Sequence, residues 1–177
     1  MGFEFRTWKE ESGVLGFREW EKGRAVSKKV EKDLPKIAEL DRKDLIELVL
    51  HANKKKMLKT RLYKELFLLS ERTGISKIMP FEWYPANYGP FSEKMAQDLE
   101  QLKKDGRIRE KIIKNRNNMF EYELIDAERT EKIWEKLPGS FKHALVEIAE
   151  EFKDKKVDEI SHYIHVAYPK YATAVKC

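Results

Sequence analysis

Two different periods of apolar positions run along this chain, and the places where one gives way to the other mark out its elements. Residues 1–40 show neither period. Phe3, Phe5, Trp8, Phe17 and Trp20 are scattered there among glycines and charges, so an irregular N-terminal extension packed on a core is expected. Asp41 suits an N-cap, and Leu45, Leu48, Val49 and Ala52 then recur at i, i+3, i+4 and i+7, the stripe of a first helix. A second helix is expected from Thr60 as N-cap, with Leu62, Leu66 and Leu69 on one side and Tyr63 and Phe67 beside them. Gly74 ends it, in the left-handed conformation that glycine takes easily, and Ile75 folds back on the last turn.

The stretch "FEWYPANYGPFSEKM", residues 81–95, interrupts this Lys-, Glu- and Leu-rich pattern with five aromatic rings around Pro85, Gly89 and Pro90. It reads as extended from Met79 to Tyr84, then as a corner at Tyr88-Gly89-Pro90. Ser92 caps a third helix, Glu93 favours its positive N-terminal end, Met95, Leu99 and Leu102 line its buried side, and Gly106 closes it. The period then changes to two. Ile108 and Ile112 share a face, and Phe120, Tyr122 and Leu124 alternate with Met119, Glu121 and Glu123, which predicts two strands joined by a turn at 115–118. Helices are expected over Ala127–Leu137, from Ser140 as cap through Leu145, Ile148, Ala149 and Phe152, and over Val157–Ala167 before Tyr168-Pro169. The fold class that follows is α+β, mostly α. Three helices and a β-hairpin in that order form a winged-helix-like core over 41–126, and helices in 127–177 complete the same domain.

Length and composition narrow the picture. A chain of 177 residues with 41% hydrophobic and 38% charged positions suits one domain with a densely charged surface. Its one cysteine is Cys177, so no internal disulfide and no cysteine-based zinc site can form. Charges interrupt the N-terminal segment where a signal peptide needs an apolar stretch, and no run is apolar and long enough to span a membrane. A cytoplasmic protein is expected.

The net charge of +5 is unevenly spread. Lys54, Lys55, Lys56, Lys59, Arg61 and Lys64 form one basic run without an acid. Lys103, Lys104, Arg107, Arg109, Lys111, Lys114 and Arg116 form another, diluted only by Asp105 and Glu110. The remainder of the chain is acidic. Two readings stay open: a face that meets a polyanion, or solvated cations balanced by acids brought near in the fold. For contact with double-stranded DNA the candidates are Lys54, Lys55, Lys56, Lys59, Arg61, Arg107, Arg109, Lys114 and Arg116. Against it, the expected exposed face of the third helix shows Glu93, Lys94, Gln97, Asp98, Gln101 and Lys104, and the carboxylates would meet phosphate with like charge. Glu121 and Glu123 are also placed to lie across from Arg109 and Lys111.

"KTRLYKELFLLS" (59–70), "FEWYPANYGPFSEKMAQDLEQLKKDGRI" (81–108) and "YIHVAYPKYA" (163–172) together resemble the YwgA-like family, which in turn resembles the Panacea domain of phage-associated and SocA-like antitoxin proteins. The resemblance covers about residues 43–172, and Tyr88-Gly89-Pro90 is its most specific part. Residues 1–40 depart from it. The resemblance implies a winged-helix-like core, no established enzymatic activity, and a regulatory role through a protein partner, antitoxin- or adaptor-like, the partner being a toxin or a protease-delivered client.

Candidate partner-binding residues are Trp83, Tyr84 and Tyr88, of types enriched at interface hot spots. The competing reading makes the same rings a rigid connector that sets the third helix. Asp158, His162 and His165 fall on one side of the last helix, but two histidines on a charged helix read as solvated side chains, so no metal and no cofactor is expected. No phosphate loop, nucleophile elbow or Cys-His pair is present in the sequence, and no catalytic residue is assigned.

Overall fold

The computed structural model describes residues 30–87, 89–113 and 119–171. Two helices form its centre. Helix α1 (Arg42–Ala52) starts in a reciprocal capping box, in which Asp44 N–H donates to Asp41 Oδ1 at 2.9 Å and Asp41 N–H donates to Asp44 Oδ2 at 3.1 Å. Asp44 to Leu50 are buried without interruption, as are Leu62 to Ser70 of α2 (Lys59–Thr73). A helix covered all round belongs inside a layer of others. Fully buried Leu45, Leu48, Leu62, Leu66 and Phe67 meet here, each contributing about 1.5–3 kcal/mol of transfer free energy.

Between them the chain turns sharply at Lys54 and Lys55, both left-handed at φ 63° and 75°, with Lys55 N–H donating to Leu50 O at 2.7 Å. It then enters strand β1 (Lys56–Leu58), which runs directly into α2. The N-cap of α2 is therefore Leu58, without a side-chain cap bond, and the expected cap Thr60 lies inside the first turn. Gly74, at φ 71°, ends α2 as expected, and Ile75 behind it is fully buried.

The aromatic stretch forms a small antiparallel pair, β2 (Tyr84–Ala86) with β3 (Gly89–Phe91), in the register Tyr84↔Phe91, Pro85↔Pro90 and Ala86↔Gly89. Gly89 sits at φ 114°, open only to glycine, and a Cβ there would stand 3.3 Å from Lys64 Nζ. Ser92 then caps α3 (Glu93–Lys104): its Oγ accepts from Met95 N–H at 3.0 Å and donates to the carbonyl of Phe81. One hydroxyl thus ties the aromatic segment to the start of the third helix.

Strands β4 (Ile108–Ile113) and β5 (Met119–Leu124) follow, and the three-stranded antiparallel sheet has the order β1-β5-β4. Its inner face carries Met57, Tyr122, Ile108 and Leu124, all buried. Helices α4 (Ala127–Lys136), α5 (Gly139–Phe152) and α6 (Val157–Ala167) complete the description, with a short 3-10 turn at Pro169–Tyr171. Ser140 does not cap α5 as expected. Pro138 holds the N-cap position, and Ser140 Oγ donates to Asp33 instead. Arg72 joins α2 to α5 and α6, donating to Glu151 at 2.6 Å and to Tyr163 Oη at 2.7 Å. Near the N-terminal side, residues 30–33 are helical and lead into a 3-10 turn, Leu34–Ile37, with Val30, Leu34 and Ile37 buried. The fold is α+β and mostly helical.

Candidate binding surface

The two basic runs are divided by the fold. Strand register places Lys56 opposite Glu123 and Glu123 opposite Arg109, and in the next row Leu58 opposite Glu121 and Glu121 opposite Lys111. Alternation puts all six on the outer face of the sheet. Both glutamates thus stand across the hairpin as expected, but only Arg109 is ion-paired there, with Glu123 at 3.2 Å; Glu121, opposite Lys111, is bridged instead to Lys56 of β1 at 3.7 Å. Lys54 and Lys55 stand exposed at the turn beside this face. Lys56, Arg109 and Lys111 thus share the outer face with two carboxylates, Glu121 and Glu123, and with Lys54 and Lys55 exposed at the adjoining turn the region is basic but partly compensated.

Three candidate contacts go elsewhere, each for a physical reason. Arg107 faces inward, donating to Glu47 Oε1 and to Asp44 Oδ1 at 3.2 Å, while Arg129 of α4 donates to the same two carboxylates at 2.9 Å each. Glu47 is fully buried, and a carboxylate there requires such partners. Arg61 donates to the carbonyl oxygens of Phe152 and Lys155 at the end of α5 and lies 3.6 Å from Glu65, so it ties α2 to α5. Lys59 lies over the Phe120 ring at 5.3 Å, on the inner side of the sheet. Lys114 and Arg116 lie outside the described residues.

The exposed face of α3 differs in one position from expectation. Asp98 is only 8% exposed and accepts from Arg42 Nε at 2.7 Å, which draws it to α1. Glu93, Gln97, Glu100, Gln101 and Lys104 remain exposed, and Lys94 is bridged to Glu82 at 3.1 Å. The net character of this helix face is not basic.

Trp83 is half-buried, edge-on to Phe67 and stacked near Phe81, each at 5.5 Å between ring centres. Phe67 also meets Tyr168 at 5.3 Å and Tyr171 at 4.8 Å, so Trp83 belongs to an aromatic cluster that locks the segment onto α2. Tyr84 is exposed, and its hydroxyl donates to Glu93 at 3.0 Å. Tyr88 lies outside the described residues.

Lys64 and Glu65, side by side on α2, are buried ionisable groups that sequence position does not betray. Burial pushes the Lys64 amine down to about 8, against the opposing charge of Asp158. Burial pushes the Glu65 carboxyl up to about 7, against a hydrogen bond from Asn53 and the charge of Arg61. His165 is lowered by burial and then by His162 and Lys64. Among the described residues no group of three or more His, Cys, Asp or Glu is disposed to hold a metal ion, and no helix is long and apolar enough to cross a membrane.

Comparison with known protein families, with characterised proteins and with solved structures finds no match to this chain.

Proposed function

We propose that helix α1, strand β1, helices α2 and α3 and the β4–β5 hairpin make a winged-helix-like core, and that the protein is a non-catalytic binding or regulatory module acting through a protein partner. The observation that carries this reading is the exposed face of α3. In a winged helix that reads DNA, this helix enters the major groove. Here it would bring Glu93 and Glu100 toward phosphates, with Lys104 as the one unbridged cation among its exposed residues. A surface of mixed charge suits a protein better, because complementary patches fix register and exclude wrong partners. The resemblance to antitoxin-like proteins points the same way.

A second reading rests on the outer sheet face. Lys54, Lys55, Lys56, Arg109 and Lys111 could engage the backbone of duplex DNA without reading bases. Fluorescence anisotropy with a random duplex across a salt series separates the two. The protein-partner reading expects no saturable binding even at low salt. A binding constant that falls steeply with salt, by about 0.9 log units per log unit for each phosphate contacted, would overturn it.

A further inference from the structure

The free edge of β4 has features of a docking site. Ile125 N–H donates to Arg107 O at 2.9 Å, while Leu124 N–H turns the other way to Lys55 O at 2.8 Å. Alternation from that point engages Arg109, Lys111 and Ile113 with β5 and turns the N–H and C=O groups of Ile108, Glu110 and Ile112 toward the free edge. Among the described residues no strand pairs with that side. On the inner side of the strand Ile108 is buried, Glu110 is half-buried and Ile112 is 53% exposed. Ile112 projects on the apolar side beside Phe120, its cross-strand partner. A row of unpaired backbone groups flanked by an exposed isoleucine is a template for another strand.

We propose that the partner docks here as an added extended strand, acidic at the positions facing Arg109 and Lys111 and apolar at the position facing Ile112. This rests on the protein-partner reading above. Residues opposite one another in a sheet share a face, so a strand laid along β4 meets Arg109 and Lys111 on the outer side and Glu110 and Ile112 on the inner side. Glu123 already compensates Arg109 at 3.2 Å, and Glu121 is bridged to Lys56 at 3.7 Å. Lys111, exposed, has no carboxylate within ion-pair distance among the described residues. A second copy of the chain fits poorly. Pairing two β4 edges about a two-fold axis keeps each face together, so Arg109 and Lys111 would face only each other's like charge. A strand alternating acidic and apolar or neutral residues meets the edge without that conflict.

The test uses the full chain and a capped heptapeptide alternating Glu with Thr and Val, with Lys in place of Glu as the control peptide. Amide exchange is followed by NMR. In the free protein the Glu110 and Ile112 amides should exchange fast and those of Arg109 and Lys111 slowly. Saturating acidic peptide should slow Glu110 and Ile112 tenfold or more, the Lys peptide should not, and the R109E/K111E double variant should lose the effect. The variant's own Arg109 and Lys111-position amides report whether the sheet is intact. Glu110 and Ile112 amides already slow in the free protein, slow only at high protein concentration, or unchanged by the peptide would each overturn the proposal. The duplex titration separates the failures. An inert peptide with no duplex binding removes the β4 edge and leaves the protein-partner reading standing, whereas an inert peptide with salt-steep duplex binding removes both.

Discussion

Arg107 and Arg109 stand two residues apart in one basic run, yet the fold gives them opposite surroundings. Arg107 lies where α3 turns into β4, and its guanidinium is held with that of Arg129 against Asp44 and buried Glu47. Arg109 points out of the sheet, 67% exposed, paired across the strand with Glu123. The same contrast divides the first run: Lys54 is exposed at a turn, whereas Lys64 is 3% exposed inside the domain. A block of like charge in sequence is therefore no measure of a charged surface. Strand alternation, helix faces and distant acids decide which cations serve the fold and which meet solvent.

The largest expected effect breaks that comparison directly. Arg107→Ala leaves Asp44 and Glu47 buried with one guanidinium in place of two, and should cost about 3 kcal/mol of stability, as loss of one partner from a buried ion cluster does. Arg109→Ala should cost no more than about 1 kcal/mol, the range of an exposed pair. Urea denaturation of both variants decides the matter. Equal losses would mean that the Asp44–Glu47 cluster is not what distinguishes the two arginines.

How much of this was legible in the sequence follows physical lines. Asp41, Gly74 and Ser92 are visible as helix boundaries because a cap acts through backbone groups within a few residues. The Arg109–Glu123 pairing is visible because alternation sets faces once the hairpin is placed. Strand β1 is not visible. Lys56-Met57-Leu58 has no pattern of its own, and its ladder is supplied by β5, more than sixty residues on. That hidden strand also explains why α2 starts at Lys59, with Leu58 rather than Thr60 at its N-cap. The inward turn of Arg61, Arg107 and Asp98 is equally hidden, since each is held by groups far along the chain: Phe152 and Lys155, Asp44 and Glu47, and Arg42. Residue type, on which the partner-binding and DNA-binding candidates rest, carries no sign of such pairings.

A second effect, of similar size at most, sharpens the contrast within the basic run ending at Lys64. The Lys64 amine is pushed from 10.5 down to about 8 in the fold, so its contribution to stability is full above the unfolded value and lost as pH falls through about 8. The Glu65 carboxyl is pushed from 4.5 up to about 7, so its contribution is full below the unfolded value and lost as pH rises through about 7. These two groups together therefore depress stability most near pH 7–8. The size of the shifts bounds each limb at roughly 3–4 kcal/mol. Glu65→Gln should flatten the loss between pH 4.5 and 7, and Lys64→Met the gain between pH 8 and 10.5, in denaturation midpoints measured across pH. An unchanged profile in both variants would show that neither group titrates as its burial demands.

The smallest expected effect tests the surface side of the comparison without disturbing the core. Glu123 is 38% exposed and is the carboxylate that compensates Arg109, so Glu123→Gln should change stability by no more than about 0.5 kcal/mol. What it changes is the field of the outer face, where removing one of two carboxylates leaves Lys54, Lys55, Lys56, Arg109 and Lys111 opposed by Glu121 alone. If this face receives an acidic strand, the Glu-containing heptapeptide should bind severalfold more tightly to the variant, and the gain should shrink as salt screens the added field. If the face instead tracks phosphate, the same substitution should strengthen random-duplex binding and leave the peptide unaffected. A variant that alters neither ligand would show that charge on this face answers only to its neighbours in the sheet, as it does for Arg107 in the interior.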